Sequence, residues 1–207
     1  MNRQMNNIIT DIVPQVNSPS RFSVFIDGEF SFGISDFDLY NLRLSKGDEI
    51  TEEKMAEIES IIDIDKCKNY AIDLVSRKMY TEKEICIKMK HKEFSQTAID
   101  SVVDILKEYG YINDEAYAVV YCEHYMQKYG VKKLEFELKN KGVDSDIIEN
   151  ALLGVKNDDT LEEMIRKKVG TKELDFKEYS KTVRYFLSKG FEYDVIQEIL
   201  NKLRDEN

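Results

Sequence analysis

A helical apolar pattern recurs three times in this chain at a nearly constant interval. The first copy is an i, i+3, i+4, i+7 stripe, which places four apolar side chains on one face of a helix. The stripe returns 49 residues later and again after a further 48. The three stripes are Ile99, Val102, Val103 and Leu106; Ile148, Ala151, Leu152 and Val155; and Ile196, Ile199, Leu200 and Leu203. A fixed interval of this length is typical of stacked helical repeats.

Two more helices are predicted in each repeat. The helix before each stripe recurs through Ile85 and Met89, then Leu134 and Leu138, then Thr182 and Phe186, with Val183 as a substitute for Thr182. A leading helix is predicted near residues 67–78, 115–128 and 159–169. One three-helix unit buries little surface by itself, so stacking should stabilise the array. The pattern predicts an elongated, curved array of tandem three-helix repeats.

The joint between the first two repeats has a strong helix stop followed by a helix start. Gly110 lacks a Cβ and is predicted to end a helix in the left-handed conformation. Tyr111 and Ile112 are apolar and should pack under the turn. Asn113 or Asp114 should then cap the next helix, because a short side-chain oxygen accepts a free backbone N–H.

Residues 1–65 follow a period of two and predict a small α+β module. Asp27-Gly28 is a strong two-residue hairpin turn, because both positions tolerate positive φ. Ser35 and Thr51 are each predicted to begin a helix. A first strand is predicted from Ile8, Ile9, Ile12 and Val13, and the hairpin strands from Phe22, Val24 and Ile26 and from the alternating Phe30, Phe32 and Ile34.

These patterns predict a mainly α fold preceded by a small module with a β-hairpin. The predicted domains are an N-terminal module of residues 1–65 and three-helix repeats at residues 66–112, 113–156 and 157–207.

Composition argues against several classes of function. Cys67, Cys86 and Cys122 form no CxxC pair, and His91 and His124 are not spaced with them as a zinc site requires. No constellation of catalytic residues is evident, so we expect a protein that is not an enzyme and needs no cofactor or metal. No apolar run approaches the roughly 20 residues that span a bilayer, so we expect a cytoplasmic protein with no membrane partner.

The charge is unevenly distributed along the chain. The net charge is −10, and residues 1–65 contribute −8 of it, from 5 basic and 13 acidic residues. Residues 66–92 instead carry +5, from 8 basic and 3 acidic residues. An acidic chain is a poor DNA binder by itself, because phosphate neutralisation dominates such affinity. The pattern favours a protein partner at least as much as a nucleic acid, with local basic strips.

The joint from Gly110 to Asp114, followed by Tyr117-Ala118, resembles the signature of the RecX family of recombination regulators. The repeated three-helix unit is similar to that family as well. So is a downstream run made of Tyr129-Gly130, Leu134, Leu138, Lys141-Gly142-Val143, Ile148 and Ala151-Leu152. The resemblance covers residues 66–203 and leaves residues 1–65 outside it.

The resemblance implies a regulatory role in DNA repair and DNA recombination. RecX-like proteins bind the RecA recombinase filament on single-stranded DNA, lie along its helical groove, and usually limit filament growth and strand exchange. It therefore implies a RecA-filament partner, with single-stranded DNA contacted through the filament. The alternative is a nucleic-acid-binding helical-repeat module that acts without RecA, against which the net charge of −10 counts.

Basic residues in the repeats are the candidates for partner binding, since charge complementarity steers association. They are Arg77, Lys78, Lys88, Lys92, Lys128, Lys132, Lys133, Lys139, Lys141 and Arg184, with Arg166, Lys167 and Lys168 as second choices. Each could equally be a solubilising side chain on an exposed helix face. A second group is aromatic and consists of Tyr111, Tyr117, Tyr121, Tyr125 and Tyr129. Such residues can stack on bases, but a spacing of four more simply indicates one buried helix face.

Overall fold

A computed structural model of the chain describes residues 7–155, 158–170 and 174–205. Within these ranges the fold is mainly helical, with one three-stranded sheet near the N-terminus. The strands are β1 (Ile9–Gln15), β2 (Ser18–Ile26) and β3 (Glu29–Ser35). The helices are α1 (Asp36–Asn41), α2 (Glu52–Val75), α3 (Glu82–Lys90), α4 (Gln96–Glu108), α5 (Asp114–Tyr125), α6 (Val131–Asn140), α7 (Ser145–Leu152), α8 (Asp158–Val169), α9 (Phe176–Ser188) and α10 (Tyr193–Asp205). None of these helices is both long enough and apolar enough to cross a membrane.

The chain divides into two compact units. The N-terminal unit combines Met1–Asp73 with Met89–Asp104, and the C-terminal unit combines Leu74–Lys88 with Ile105–Asn207.

The sheet of the N-terminal unit is an antiparallel meander in the order β1-β2-β3. Asp27 and Gly28 connect β2 to β3 with φ angles of 49° and 86°. Two successive positive φ angles define the tight turn that suits the right-handed twist of a hairpin. The predicted hairpin is therefore confirmed.

An irregularity in β3 changes the face on which Phe30 lies. Val24 pairs with Phe32, but the next residue of β2, Phe25, pairs with Phe30, so Ser31 is an extra residue in β3. This β-bulge breaks the alternation that would place Phe30 with Phe32 and Ile34. Phe32 and Ile34 are buried, whereas Phe30 is 60% exposed and packs edge-on against Phe25.

Helix α2 is longer than the sequence analysis predicts. The Thr51 hydroxyl accepts a hydrogen bond from the N–H of Lys54, and the helix then continues unbroken for 24 residues. The helix predicted near residues 67–78 is the C-terminal half of α2, which ends at Val75. Its N-terminal half places Ile58 in the core beneath the sheet, and Asp65 forms an ion pair with Arg21 of β2 at 2.5 Å.

The apolar stripes lie on the buried faces of α4, α7 and α10, except for Val155, which follows the last residue of α7, Leu152. All four residues of the first stripe and all four of the third are buried. In the second stripe Ile148 is buried, and Ala151, Leu152 and Val155 are partly buried. The second helices follow the prediction as well, since Ile85, Met89, Leu134, Leu138, Thr182, Val183 and Phe186 are all buried.

The joint between α4 and α5 has the predicted helix stop and start. Gly110 has a φ of 71°, and the Asn113 side chain accepts a hydrogen bond from the N–H of Ala116 at 2.8 Å. Ile112 is buried under the turn, as predicted. The prediction for Tyr111 is wrong: it is 56% exposed, because the turn directs only one of the two apolar side chains inward.

Two lysine–glycine turns dock onto the starts of preceding helices in the C-terminal unit. The carbonyl of Lys141, at the end of α6, accepts a hydrogen bond from the Thr81 hydroxyl before α3 at 2.7 Å. The carbonyl of Lys189, at the end of α9, accepts one from the N–H of Gly130 before α6 at 2.9 Å. Each docking brings the negative end of one helix dipole to the positive end of another. Equivalent turns therefore connect successive repeats in the same way.

Candidate partner-binding surface

Helix α5 has an unusual distribution of side chains around its buried face. The residues at its centre are small, since Ala118 and Cys122 are the buried ones. The larger side chains are tyrosines that lie beside this stripe and are only partly buried. They form a row of four with a spacing of four residues: Tyr117, Tyr121, Tyr125 and Tyr129, here called the tyrosine row.

The rings of the tyrosine row follow one another without interruption. Successive ring centroids are 6.1, 4.5 and 5.8 Å apart, with interplanar angles between 17° and 43°. The sequence analysis interpreted these residues as one buried helix face. The four rings are instead only partly buried, because each ring packs on the core and also reaches the surface. Tyr111 is not in the row and pairs with Tyr109 instead.

Lys141 lies at the Tyr117 end of the row. Its ammonium group is 5.5 Å and 5.7 Å from the ring centroids of Tyr117 and Tyr121 and forms a 2.8 Å ion pair with Glu84. Burial by itself would lower the pKa of Lys141, but the hydrogen bonds to Glu84 and Tyr117 outweigh it and raise the pKa above its ordinary value. Burial, together with the negative charge of Glu137, raises the pKa of Tyr121 to about 12. Lys141 is therefore charged and Tyr121 is neutral near neutral pH.

Further lysines lie at the Tyr129 end of the row and at Tyr185 of the third repeat. The ammonium group of Lys189 lies 5.3 Å from the ring of Tyr129 and 5.7 Å from that of Tyr185. Lys168 lies 3.8 Å from the same Tyr185 ring, and Lys128 lies 5.1 Å from the ring of Tyr129. The tyrosine row, Tyr185 and these lysines with Lys141 are here called the tyrosine–lysine track. It runs across two repeats within the C-terminal unit.

Lys78 and Lys88 lie near one end of this track. Both ammonium groups face the ring of Tyr80, at 4.4 and 5.4 Å. Lys78 also lines a groove of about 340 Å³ together with Lys141 and residues of the tyrosine row. The structure therefore brings together two of the predicted basic residues, Lys78 and Lys141, beside the predicted aromatic group.

The predicted basic residues of α6 are engaged in ion pairs. Lys133 and Lys139 pair with glutamates four residues away on the same helix, at 2.7 and 2.5 Å. Lys132 pairs with Glu192 of the third repeat at 2.7 Å. Exposed pairs of this kind contribute little to stability, so the lysines remain able to exchange these carboxylates for a partner's.

The remaining predicted residues are separated from this group. Lys92 belongs to the N-terminal unit, where its ammonium group is 5.7 Å from the ring of Tyr70. Arg77 is exposed in the turn after α2. Arg184 is exposed on α9, and its Nε donates a hydrogen bond to the carbonyl of Ser180.

Two residues of the track are absent from the predicted set. Lys189 and Tyr185 are brought to Tyr129 by the docked turn at the end of α9. A sequence signal for Lys189 exists, because Lys189-Gly190 repeats Lys141-Gly142 at an interval of 48 residues. No such signal marks Tyr185, whose proximity to Tyr129 depends on the packing of two repeats.

Metal chemistry has no support in the described part of the chain. There, no three His, Cys, Asp or Glu side chains are grouped so that they could hold a metal ion. Cys67, Cys86 and Cys122 form no disulfide with one another, and Cys67 and Cys122 are buried.

Four family models match successive parts of the chain. They describe the N-terminal domain of regulatory protein RecX, at residues 7–51, and the first, second and third three-helix domains of RecX, at residues 67–106, 113–152 and 157–200. The similarity thus extends to the N-terminal module, which the resemblance inferred from the sequence left outside.

Curated relatives are similar over nearly the whole chain. The regulatory protein RecX of Caldanaerobacter subterraneus subsp. tengcongensis is 37% identical over 195 residues, which cover 94% of this chain and 98% of the relative. The regulatory protein RecX of Clostridium perfringens strain SM101 is 33% identical over 202 residues, which cover 94% of this chain and 95% of the relative. These relatives are named as regulatory proteins and not as enzymes.

Solved structures share the fold. A crystal structure of regulatory protein RecX has a TM-score of 0.76 at 23% identity, covering 94% of this chain and 98% of that one. RecX from Lactobacillus salivarius has a TM-score of 0.64 at 26% identity, covering 71% of this chain and 99% of that one. With all four domain models matched and a relative 37% identical over most of its length, the chain belongs to the RecX family of regulatory proteins.

Proposed function

We propose that this protein regulates homologous recombination and DNA repair by binding the RecA filament on single-stranded DNA along its groove, usually as an inhibitor. The observation that carries the proposal is the match of the N-terminal domain and all three three-helix domains to RecX models, in order and across most of the chain. Regulation of RecA is the role known for this family.

The distribution of charge supports a filament partner. The chain as a whole has a net charge of −10, yet lysines cluster on the second helices of the repeats and along the tyrosine–lysine track. A filament of protein and nucleic acid offers carboxylates and phosphates to such a surface. Charge complementarity of this kind mainly accelerates and orients association. The acidic N-terminal module would limit binding to bare DNA.

The proposal is tested with the RecA recombinase of the same organism. We expect the purified protein to reduce DNA-dependent ATP hydrolysis and strand exchange at substoichiometric to stoichiometric ratios. A double variant, Lys78→Gln with Lys128→Gln, should require more protein for half-inhibition. The matched control is Lys46→Gln with Lys54→Gln, which makes the same change of charge in the N-terminal unit. A wild-type protein without effect at any ratio would eliminate the proposal.

Binding is measured apart from inhibition by co-sedimentation with RecA filaments. We expect the full chain to pellet with RecA assembled on single-stranded DNA, and its pelleted fraction to fall as the salt concentration rises. Inhibition without co-sedimentation would show that the protein acts on free RecA, which contradicts binding along the filament.

A further inference from the structure

We propose that a groove in the N-terminal unit, between the outer edge of β3 and helix α2, binds an extended basic segment of a partner protein as an added β-strand. This goes beyond the proposed function, because no residue of the tyrosine–lysine track takes part. The groove has a volume of about 310 Å³ and lies within one compact unit. It is lined by Ser31 and Phe32 of β3 and by Met55, Glu59, Ile62, Asp63 and Lys66 of α2.

The two outer edges of the sheet differ in how they are covered. The edge of β1 is hydrogen-bonded near Ile9 to the segment that precedes α2. The N–H of Ile9 donates to the carbonyl of Asp48 at 2.9 Å, and the carbonyl of Ile9 accepts from the N–H of Gly47 at 2.8 Å. Among the described residues, by contrast, no backbone hydrogen bond joins β3 to any segment other than β2. An uncovered strand edge offers N–H and C=O groups to a further extended chain.

The bulge of β3 lies at this groove. Ser31 is the extra residue, so it has no partner in β2, and it lines the groove next to Phe32. Bulges protect some strand edges from pairing, but they are also frequent beside functional sites, where they redirect the strand. Phe32 and Ile34 remain buried on the core side of the sheet. The strand after the bulge therefore keeps the regular pairing with β2 on which an added strand would build.

Helix α2 forms the second wall of the groove. Met55, Glu59, Ile62 and Lys66 have a spacing of i, i+4, i+7 and i+11, which places them on one face of the helix. Met55 and Ile62 are only partly buried. The distance along the axis from Met55 to Lys66 is about 16 Å, at 1.5 Å per residue, which is the length of about five residues of a strand. A strand beside β3 would direct every second side chain towards α2, where apolar side chains would cover Met55 and Ile62.

The charge of the groove favours a basic segment. Glu59 is exposed, and Asp63 accepts a hydrogen bond from the N–H of Ser95 at 2.9 Å through one carboxylate oxygen. No ion pair within the described part of the chain involves Glu59 or Asp63. Residues 1–65 carry a net charge of −8, so the surroundings of the groove repel an acidic segment.

The protein itself contains an example of the proposed contact. The guanidinium of Arg21 forms a 2.5 Å ion pair with Asp65 of α2 and lies 3.5 Å from the carbonyl of Gly33 in β3. A cationic side chain thus joins a carboxylate of α2 to a backbone carbonyl of β3. The groove presents the same two kinds of group, the carboxylates of Glu59 and Asp63 and the backbone of Ser31 and Phe32, to a cation from outside.

Binding is tested with the full chain and a fluorescein-labelled heptapeptide of alternating arginine and valine, blocked at both ends. Its fluorescence anisotropy should rise on titration with the protein. A peptide of the same composition with its valines adjacent should bind more weakly, because it cannot place arginine and valine on opposite faces of a strand. Equal binding of the two peptides would reduce the interaction to attraction of net charge and would overturn the proposal, as would no binding.

Methylation of the peptide backbone tests strand pairing. Successive N–H groups of an edge strand point to opposite sides, so N-methylation of the valines and of the arginines blocks opposite sides of the peptide. One of these two methylated peptides should bind at least about five-fold more weakly than the other, since it loses the hydrogen bonds to β3. Equal affinities of the two methylated peptides would overturn pairing with β3.

A double variant tests the acidic wall. Glu59→Gln with Asp63→Asn should weaken peptide binding by about two- to thirty-fold, as expected for the loss of two partly exposed ion pairs. Asn at position 63 still has an oxygen that can accept from the N–H of Ser95, which preserves that contact. The matched control is Glu49→Gln with Glu57→Gln, the same change of charge on exposed residues of this unit that do not line the groove. Equal losses for the two double variants would contradict the site.

Nitrogen-15 NMR of the wild-type chain locates the bound peptide independently of any variant. The amide signals of Ser31 and Phe32 should shift on addition of the alternating peptide, whereas shifts confined to the C-terminal unit would overturn the proposal. Sedimentation of the chain alone tests a second copy as the occupant. A dimer that the Glu59 and Asp63 double variant abolishes would assign the edge to self-association and overturn a foreign partner. These assays contain no RecA, so their failure leaves regulation of RecA standing.

Discussion

The docked turn between the second and third repeats can be broken with one methyl group. Gly190 has a φ of 84°, and a β-carbon there would overlap the backbone nitrogen of Lys133 and lie 2.5 Å from its Cβ. Neither neighbour is the end of a flexible side chain that could move aside. Gly190→Ala should therefore force the turn away from the start of α6.

The size of the effect follows from the backbone conformation and from the hydrogen bonds that the turn makes. A side chain in the left-handed region costs about 1–2 kcal/mol. Displacing the turn also breaks the hydrogen bonds from the N–H of Gly130 to the carbonyl of Lys189 and from the N–H of Lys132 to the carbonyl of Gly190, each worth about 0.5–1.5 kcal/mol net. We expect Gly190→Ala to destabilise the C-terminal unit by about 2–5 kcal/mol.

Gly110 provides the matched control. It has a φ of 71° in the same unit, but a β-carbon there would meet nothing within 4 Å. Gly110→Ala should therefore cost only the conformational part, about 1–2 kcal/mol. Urea unfolding followed by circular dichroism measures both variants. Gly190→Ala should also separate the unfolding transition of the third repeat from the rest, since the interface between the repeats is weakened. A cost for Gly190→Ala no greater than that for Gly110→Ala would refute the reasoning.

Three further variants test single interactions. Thr182 is fully buried and its hydroxyl has no hydrogen-bond partner among the described residues, so Thr182→Val should raise the free energy of unfolding by about 1 kcal/mol in urea titrations. Asn113→Ala removes the cap of α5 and should lower the free energy of unfolding by about 1 kcal/mol; no change would mean that Asp114 or solvent replaces the cap. Glu162 has a pKa below its ordinary value, because it accepts hydrogen bonds from Arg166 and Lys202. A carboxyl group with a lowered pKa stabilises the fold above its unfolded pKa and loses that contribution as the pH falls through the folded pKa. Glu162→Gln should therefore show a smaller loss of melting temperature than the wild type as the pH falls from 6 towards 3.

The periodic features were predictable because periodicity and burial have a direct physical link. A stripe such as Ile196, Ile199, Leu200 and Leu203 can bury its apolar area in only one way once it is helical, and all four residues are buried. The hairpin at Asp27-Gly28 was predictable for a similarly local reason, since few residue pairs accept two positive φ angles.

Features that depend on the pairing or packing of distant residues were not predictable. The bulge at Ser31 leaves no mark in the sequence, where Phe30, Phe32 and Ile34 alternate regularly, and it is visible only from the pairing of β3 with β2. The period of the apolar residues changes near residue 66, which suggests that one structural element ends there. No helix-stopping residue lies at that point, however, and α2 continues through it. Tyr185 enters the track only because the turn after α9 docks on Gly130.

Some lysines of the repeats form ion pairs between repeats, and others face solvent. A change in partner binding therefore has a different meaning for variants of the two kinds. Lys141 binds Glu84 of the first repeat and Lys132 binds Glu192 of the third, so each joins two repeats. Replacing either one changes both the surface charge and an interface within the protein. Lys128 and Lys189 have no ion pair among the described residues. The ammonium group of Lys189, however, lies 5.3 and 5.7 Å from tyrosine rings of two different repeats. Lys128 is exposed and lies near the ring of Tyr129 in its own repeat, so replacing Lys128 changes mainly the surface that a partner meets. Weaker binding by a Lys128 variant, with unfolding unchanged, is therefore stronger evidence for a direct interaction than any larger effect at Lys141.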